Sequence, residues 1–176
     1  MGIPVKPHKV KLFAAVMYKT GFNIQNVIET LDQRFGAREF TYGPVAFSWS
    51  EYYQSEMGEN LQKIYFNYNT LIDREDLPGL KLYTNDLEKK FSAGDNRDVN
   101  IDPGYIARDK FVLATTKDFY HRIYVGQGIF AEVTLHYRRG RYRFFSWTYP
   151  DYKEQGFFDY IEKARATLVK EIRSFE

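Results

Sequence analysis

Between Asp118 and Tyr152 the chain gathers side chains suited to proton transfer and anion recognition: His121, Arg122, Glu132, Thr134, His136 and Arg143. A carboxylate beside an imidazole holds its tautomer and raises its basicity. An arginine nearby clamps an anion. Tight turns at Gly126-Gln127-Gly128 and Arg139-Gly140 fix how these residues share faces. A two-residue turn at Gly126-Gln127 or Gln127-Gly128 sets His121, Ile123 and Val125 on one face with Phe130, Glu132, Thr134 and His136. Tyr124, Ile129, Ala131, Val133 and Leu135 then form the core side. A three-residue loop slips the pairing and sets Arg122 beside Glu132 instead. The turn at Arg139-Gly140 brings Arg143, Phe145 and Trp147 to the polar face.

The expected roles follow. His121 moves a proton, Glu132 orients it, and Arg122 or Arg143 holds an anion, with Tyr124 and Thr134 as further ligand contacts. The competing reading is a solvated sheet face with paired charges. His121, Glu132 and His136 are metal-ligand types, but no ligand-spacing motif matches and no metal is expected.

Asp102, in Asn100-Ile-Asp-Pro-Gly-Tyr105, is a second candidate catalytic carboxylate, held by a rigid turn at a strand end. An ordinary Asp-Pro-Gly turn explains it as well. Asn85, near the start of a helix, is either a ligand contact or a cap. Arg138–Arg143 is the basic cluster of the chain. Arginines interleaved with aromatics grip phosphates and stack bases, yet the segment also straddles a hairpin tip.

The elements that must carry these residues read as an α+β fold with a mixed, largely antiparallel sheet and three main helices. Val10–Tyr18 is a dense apolar run, a buried strand. A helix capped by Asn23 buries Ile24, Val27, Ile28, Leu31 and Phe35 and stops at Gly36. Strands follow over Arg38–Trp49, interrupted at Gly43-Pro44, and over Leu61–Tyr68. A short helix is expected over Ser50–Gly58. Asp73–Gly79 reads as a turn, and a second helix starts near Leu80 and ends near Gly94. Asp95–Asp98 is a charged turn. Strands over Val99–Tyr105 and Lys110–Thr116 precede the meander, and a last helix buries Phe158, Ile161, Leu168 and Ile172. The first six elements match the split βαβ order of a ferredoxin-like half. Residues 1–9 read as a tail and 10–176 as a single domain.

The 176 residues hold no cysteine, which excludes disulfides and thiolate chemistry and suits a cytoplasmic location. The apolar run at Leu12–Met17 is far shorter than a membrane span, so no membrane partner is expected. A net charge of +2 gives no global field for nucleic acid. The chain has no Gly-x-x-x-x-Gly-Lys-Ser/Thr loop, no Gly-x-Gly-x-x-Gly after a strand and no Gly-x-Ser-x-Gly elbow.

Several phrases are familiar: Lys11-Leu-Phe-Ala, Tyr52-Tyr53 with Glu56-Met57-Gly58, Leu71-Ile72, and Lys81 with Thr84-Asn85-x-Leu87-Glu88. Others are Val99-Asn-Ile-Asp-Pro-Gly-Tyr105, Val112-Leu-Ala-Thr-Thr-Lys-Asp118, His121-Arg-Ile-Tyr124, Gly128–Leu135 and Trp147-Thr-Tyr-Pro-Asp-Tyr152. In these the chain resembles, over nearly its whole length, a prokaryotic family known by number, domain-of-unknown-function family 4416. The resemblance implies no established activity. Some members carry a GTP-binding label, but this sequence lacks a phosphate loop. Its Thr84-Asn85-Asp86 also departs from the Asn-Lys-x-Asp guanine motif.

The leading expectation is an enzyme or binding domain for a small anionic ligand, phosphorylated or nucleotide-like. The alternatives are an RNA- or protein-binding module using the Arg138–Arg143 hairpin, and a structural or assembly role.

Overall fold

Val10–Lys19 is apolar at almost every position and forms strand β1, buried on both faces. Helix α1 spans Ile24–Phe35, and the Asn23 side chain accepts from the Gln25 N–H at its start. Strands β2 (Arg38–Phe47) and β3 (Leu61–Ile72) follow, then helix α2 (Leu77–Lys90). Strands β4 (Val99–Ile106), β5 (Lys110–Thr115), β6 (Arg122–Gly126), β7 (Ile129–Arg138) and β8 (Arg141–Phe144) complete the sheet. Helix α3 (Gln155–Arg173) closes the chain after a 3-10 turn at Pro150–Lys153. The computed structural model describes residues 2–49, 57–92 and 97–174.

Every strand pairing is antiparallel, in the order β2-β3-β1-β4-β5-β7-β6, with β8 beside β6 on the outer edge of β7. The β2-β3-β1-β4 part is the split βαβ arrangement expected from the element order. Helices α1 and α2 cover one face, packing on Leu12, Ala14, Val16, Phe66 and Ile101. Helix α3 covers the other, over Phe13, Ala15, Tyr65, Phe111 and Leu135.

Four sequence expectations need correction. Asp102-Pro103-Gly104 is no turn but the middle of β4. Pro78-Gly79 lies in the first turn of α2, where a proline loses no intrahelical bond. The buried aromatic of α3 is Phe157, with Phe158 only half-buried. Strand β3 runs on to Ile72, four residues past Tyr68. The helix expected over Ser50–Gly58 falls mainly outside the described residues, and so does the first half of the turn expected over Asp95–Asp98.

Pro103 explains the most consequential feature of the sheet. Strand β4 pairs with β1 from Val99 to Ile106, but with β5 only over Gly104–Ile106. The Ile101 N–H and C=O both point away from β1, and residues two apart along a strand point the same way. Pro103 therefore faces β5 with no N–H to donate, and pairing stops there. Gly104 closes the pair, since a Cβ at that position would collide with the Val112 carbonyl of β5. Beyond it the strands splay.

The hairpin from β6 to β7 has the two-residue turn but pairs in the alternative register, which the sequence tied to a three-residue loop. Gln127 and Gly128 both take positive φ, 56° and 75°, a two-residue turn of the type I′ kind. An irregularity between Tyr124 and Gly126, where Gly126 has φ 104°, adds a residue to β6. The register slips, and Arg122 pairs with Glu132. The Arg139-Gly140 turn is the expected two-residue one, with His136 opposite Arg143.

Candidate functional site

The splay between β4 and β5 opens a cavity of about 120 Å³. Cross-strand neighbours point to one face, and register aligns the polar ones on the face that also carries α3. Lys63 of β3 lies opposite Met17, which lies opposite Asn100 of β4; Asp102 is two residues further on. Gly104 lies opposite Leu113, Leu113 opposite Glu132, and Glu132 opposite Arg122. The 3-10 turn adds Asp151, and α2 adds Lys81 and Asn85.

Helix α2 stands in for the missing strand pairing. Lys81, Asn85 and Glu88 recur at helical spacing on the side facing β4. Lys81 Nζ donates to the Ile101 carbonyl at 2.9 Å, and Glu88 Oε1 accepts from the Ile101 N–H at 2.6 Å. Two side chains thus take the backbone groups that β5 leaves unpaired. Lys81 also donates to Asp102 Oδ1 at 3.1 Å, and Asn100 Nδ2 donates to Asp102 Oδ2 at 2.9 Å. Arg97 Nη1 donates to Glu88 Oε2 and to Asn100 Oδ1, both at 3.1 Å.

Burial pushes the Glu88 carboxyl up, against the pull of Lys81, the Ile101 N–H and Arg97. Burial acts on Asp102 in the same direction, but Lys81, Lys63 and the hydrogen bonds outweigh it and hold its pKa below the ordinary aspartate range. Asp102 keeps 26% of its side chain open, so solvent screens part of this effect. A lowered folded-state pKa gives stability that is present above the unfolded value and lost as pH falls through the folded one. Asp102→Asn is therefore less stable than the wild type at neutral pH. The gap between their urea midpoints closes as pH drops below the ordinary aspartate range; a pH-independent gap contradicts this.

A second buried pair forms the floor. Lys63 Nζ donates to Asp151 Oδ2 at 2.7 Å, and the Tyr65 hydroxyl donates to the same oxygen at 2.8 Å. Burial, and then the Asp151 charge, push the Tyr65 hydroxyl far above the usual phenol range, so it stays a donor. Asp151 Oδ1 is shielded from water and has no partner among the described residues.

Glu132 joins the third cluster. Its Oε2 accepts from Arg122 Nε at 3.0 Å and lies 3.0 Å from His121 Nε2, and its Oε1 accepts from Thr134 Oγ1 at 3.3 Å. A carboxylate acceptor places the proton on Nε2. His121 stacks on Trp147 with centroids 4.9 Å apart and 13° between planes.

Of the expected site residues, Asp102, Asn85, Arg122 and Glu132 line one cavity. His121 and Thr134 bond to Glu132 but are not on its wall. Asn85 sits in the third turn of α2 and caps nothing. The register slip moves Tyr124 off the expected core side; it is exposed and packs on Phe130 at 5.4 Å. Arg143 and His136 lie in a separate cleft under the β7–β8 hairpin. Sequence reasoning missed Lys63, Lys81, Arg97 and Asp151. A signal existed for two: Lys63 interrupts the inward positions of β3, and Lys81 with Glu88 interrupts the buried stripe of α2.

A family model described as Domain of unknown function (DUF4416) matches residues 8–168, and the chain belongs to that family. No curated protein and no solved structure matches it.

Proposed function

We propose that this member of a family without an assigned activity binds a small phosphorylated ligand in the cavity between β4 and β5. The observation that carries the reading is the charge of the wall. Lys63, Lys81, Arg97, Lys117 and Arg122 face Asp102, Glu132 and Asp151, five cations against three carboxylates. Confined cationic groups aimed at one space favour an anion strongly, because low-dielectric walls focus their field. Glu88, behind the wall, bonds to Arg97 and lies 3.9 Å from Lys81, so the surplus is one to two positive charges, which favours an anion. Arg122, held by Glu132 and by the Lys117 carbonyl at 3.0 Å, is pre-oriented as the anion clamp. Asp102 and Asp151 supply acceptors for a ligand hydroxyl or amino group, and the cavity of about 120 Å³ takes the phosphate end of such a ligand rather than a whole nucleotide.

Calorimetric titration with phosphate, pyrophosphate, and adenosine and guanosine monophosphates tests this. At least one binds with Kd tighter than about 1 mM, corresponding to roughly −4 kcal/mol. Arg122→Gln weakens it about 10- to 100-fold, the worth of a charge-assisted hydrogen bond. Equal binding of the parent nucleosides, or no saturable heat from any of the four, overturns the reading.

A further inference from the structure

The β7–β8 hairpin and α3 enclose a second, more open cleft of about 760 Å³. Arg138, Arg139, Arg141 and Arg143 line it with His136, Phe144, Phe158 and a single acid, Glu162. One feature of the register is costly for a hairpin serving only as structure: Arg138 lies directly opposite Arg141. Like charges paired across strands destabilise a hairpin. None of the four arginines has an ion pair or hydrogen bond among the described residues, whereas Arg38, Arg97 and Arg122 are all bonded. Among the described residues, Arg143 Nε is also shielded from water without a partner, as is the Tyr142 hydroxyl. A buried donor left unmade costs roughly 1–3 kcal/mol. Such a cost is recovered when an acceptor arrives.

We infer that this cleft is a docking surface for single-stranded RNA, distinct from the cavity between β4 and β5. The arginines take successive phosphates, because a planar guanidinium matches a phosphate in two-point contact. Phe144, 55% exposed on the cleft wall, offers a face for base stacking. Glu162 would repel a bare phosphate chain, but it is an acceptor suited to a ribose 2′-hydroxyl, the group that separates RNA from DNA.

The test is fluorescence anisotropy of a short labelled oligouridine with the full chain. Binding is saturable at about 50 mM salt and falls steeply towards about 200 mM. The Arg138→Gln/Arg141→Gln variant weakens it at least about tenfold and lowers the salt slope by about 1.4. Both side chains are exposed and unpartnered, and the variant relieves their repulsion across the strands, so its melting temperature equals or slightly exceeds that of the wild type. Arg122→Gln leaves RNA binding unchanged, which separates this surface from the inner cavity. No saturable binding, undiminished binding by the double variant, or equal affinity for the oligodeoxyuridine overturns the inference.

Discussion

Lys81→Met lowers the free energy of unfolding by about 3–5 kcal/mol at neutral pH, the usual cost of stripping one partner from a buried ion pair. Lys81 is 5% exposed and serves three acceptors at once: the Ile101 carbonyl, Asp102 and, at 3.9 Å, Glu88. A methionine of similar length fills the space, leaves the Ile101 carbonyl without a donor, and leaves Asp102 with Asn100 and Glu88 with Arg97 and the Ile101 N–H as remaining partners. Burial already raises the Glu88 pKa, and losing the Lys81 charge raises it further. Lys81→Met/Glu88→Gln is therefore more stable than Lys81→Met alone. Urea unfolding of the wild type and both variants measures the series. In a chain of this size the single variant's Tm falls by roughly 6–20 °C. A loss below about 1 kcal/mol would show that α2 does not complete the sheet in the way described.

Lys63→Met has a comparable effect, about 3–5 kcal/mol, for a related reason. The Lys63 ammonium sits among three rings, Phe47 at 5.2 Å, Tyr65 at 5.3 Å and Tyr152 at 4.6 Å, with Asp151 as its ion partner. Removing the cation strands a carboxylate that is 4% exposed and already has one unpartnered oxygen. The double variant Lys63→Met/Asp151→Leu recovers most of the loss, because an apolar pair of similar volume replaces the ion pair without an orphaned charge. The two single losses do not add, since both break the same contact. Denaturant melts of the four proteins give the cycle. Additive losses contradict a direct pair. The double variant, though folded, binds phosphorylated ligands more weakly than the wild type.

Much of the fold was legible because its signals are local. The apolar run of β1, the capped periodic stripe of α1, the two tight turns of the meander and the long amphipathic α3 each follow from a few neighbouring residues. What was not legible depends on partners distant in sequence. Pro103 reads as a turn residue until one knows that its missing N–H faces the gap left by β5. The extra residue at the end of β6 leaves no composition signature, yet it decides that Arg122, and not His121, reaches the cavity. The candidate site was half visible: Asp102, Asn85, Arg122 and Glu132 were named, but they were not expected to share one cavity with Lys63, Lys81 and Asp151. Lysines at inward positions of β3 and α2, among largely apolar neighbours, were the sign that something polar is enclosed.

A crystal of the wild-type protein soaked with pyrophosphate tests the central claim most directly. Density for the anion is expected inside the splay between β4 and β5, in contact with the Arg122 guanidinium and within the wall formed by Lys63, Lys81 and Lys117. An empty cavity at saturating pyrophosphate, or an anion held only on the surface away from Arg122, would contradict it.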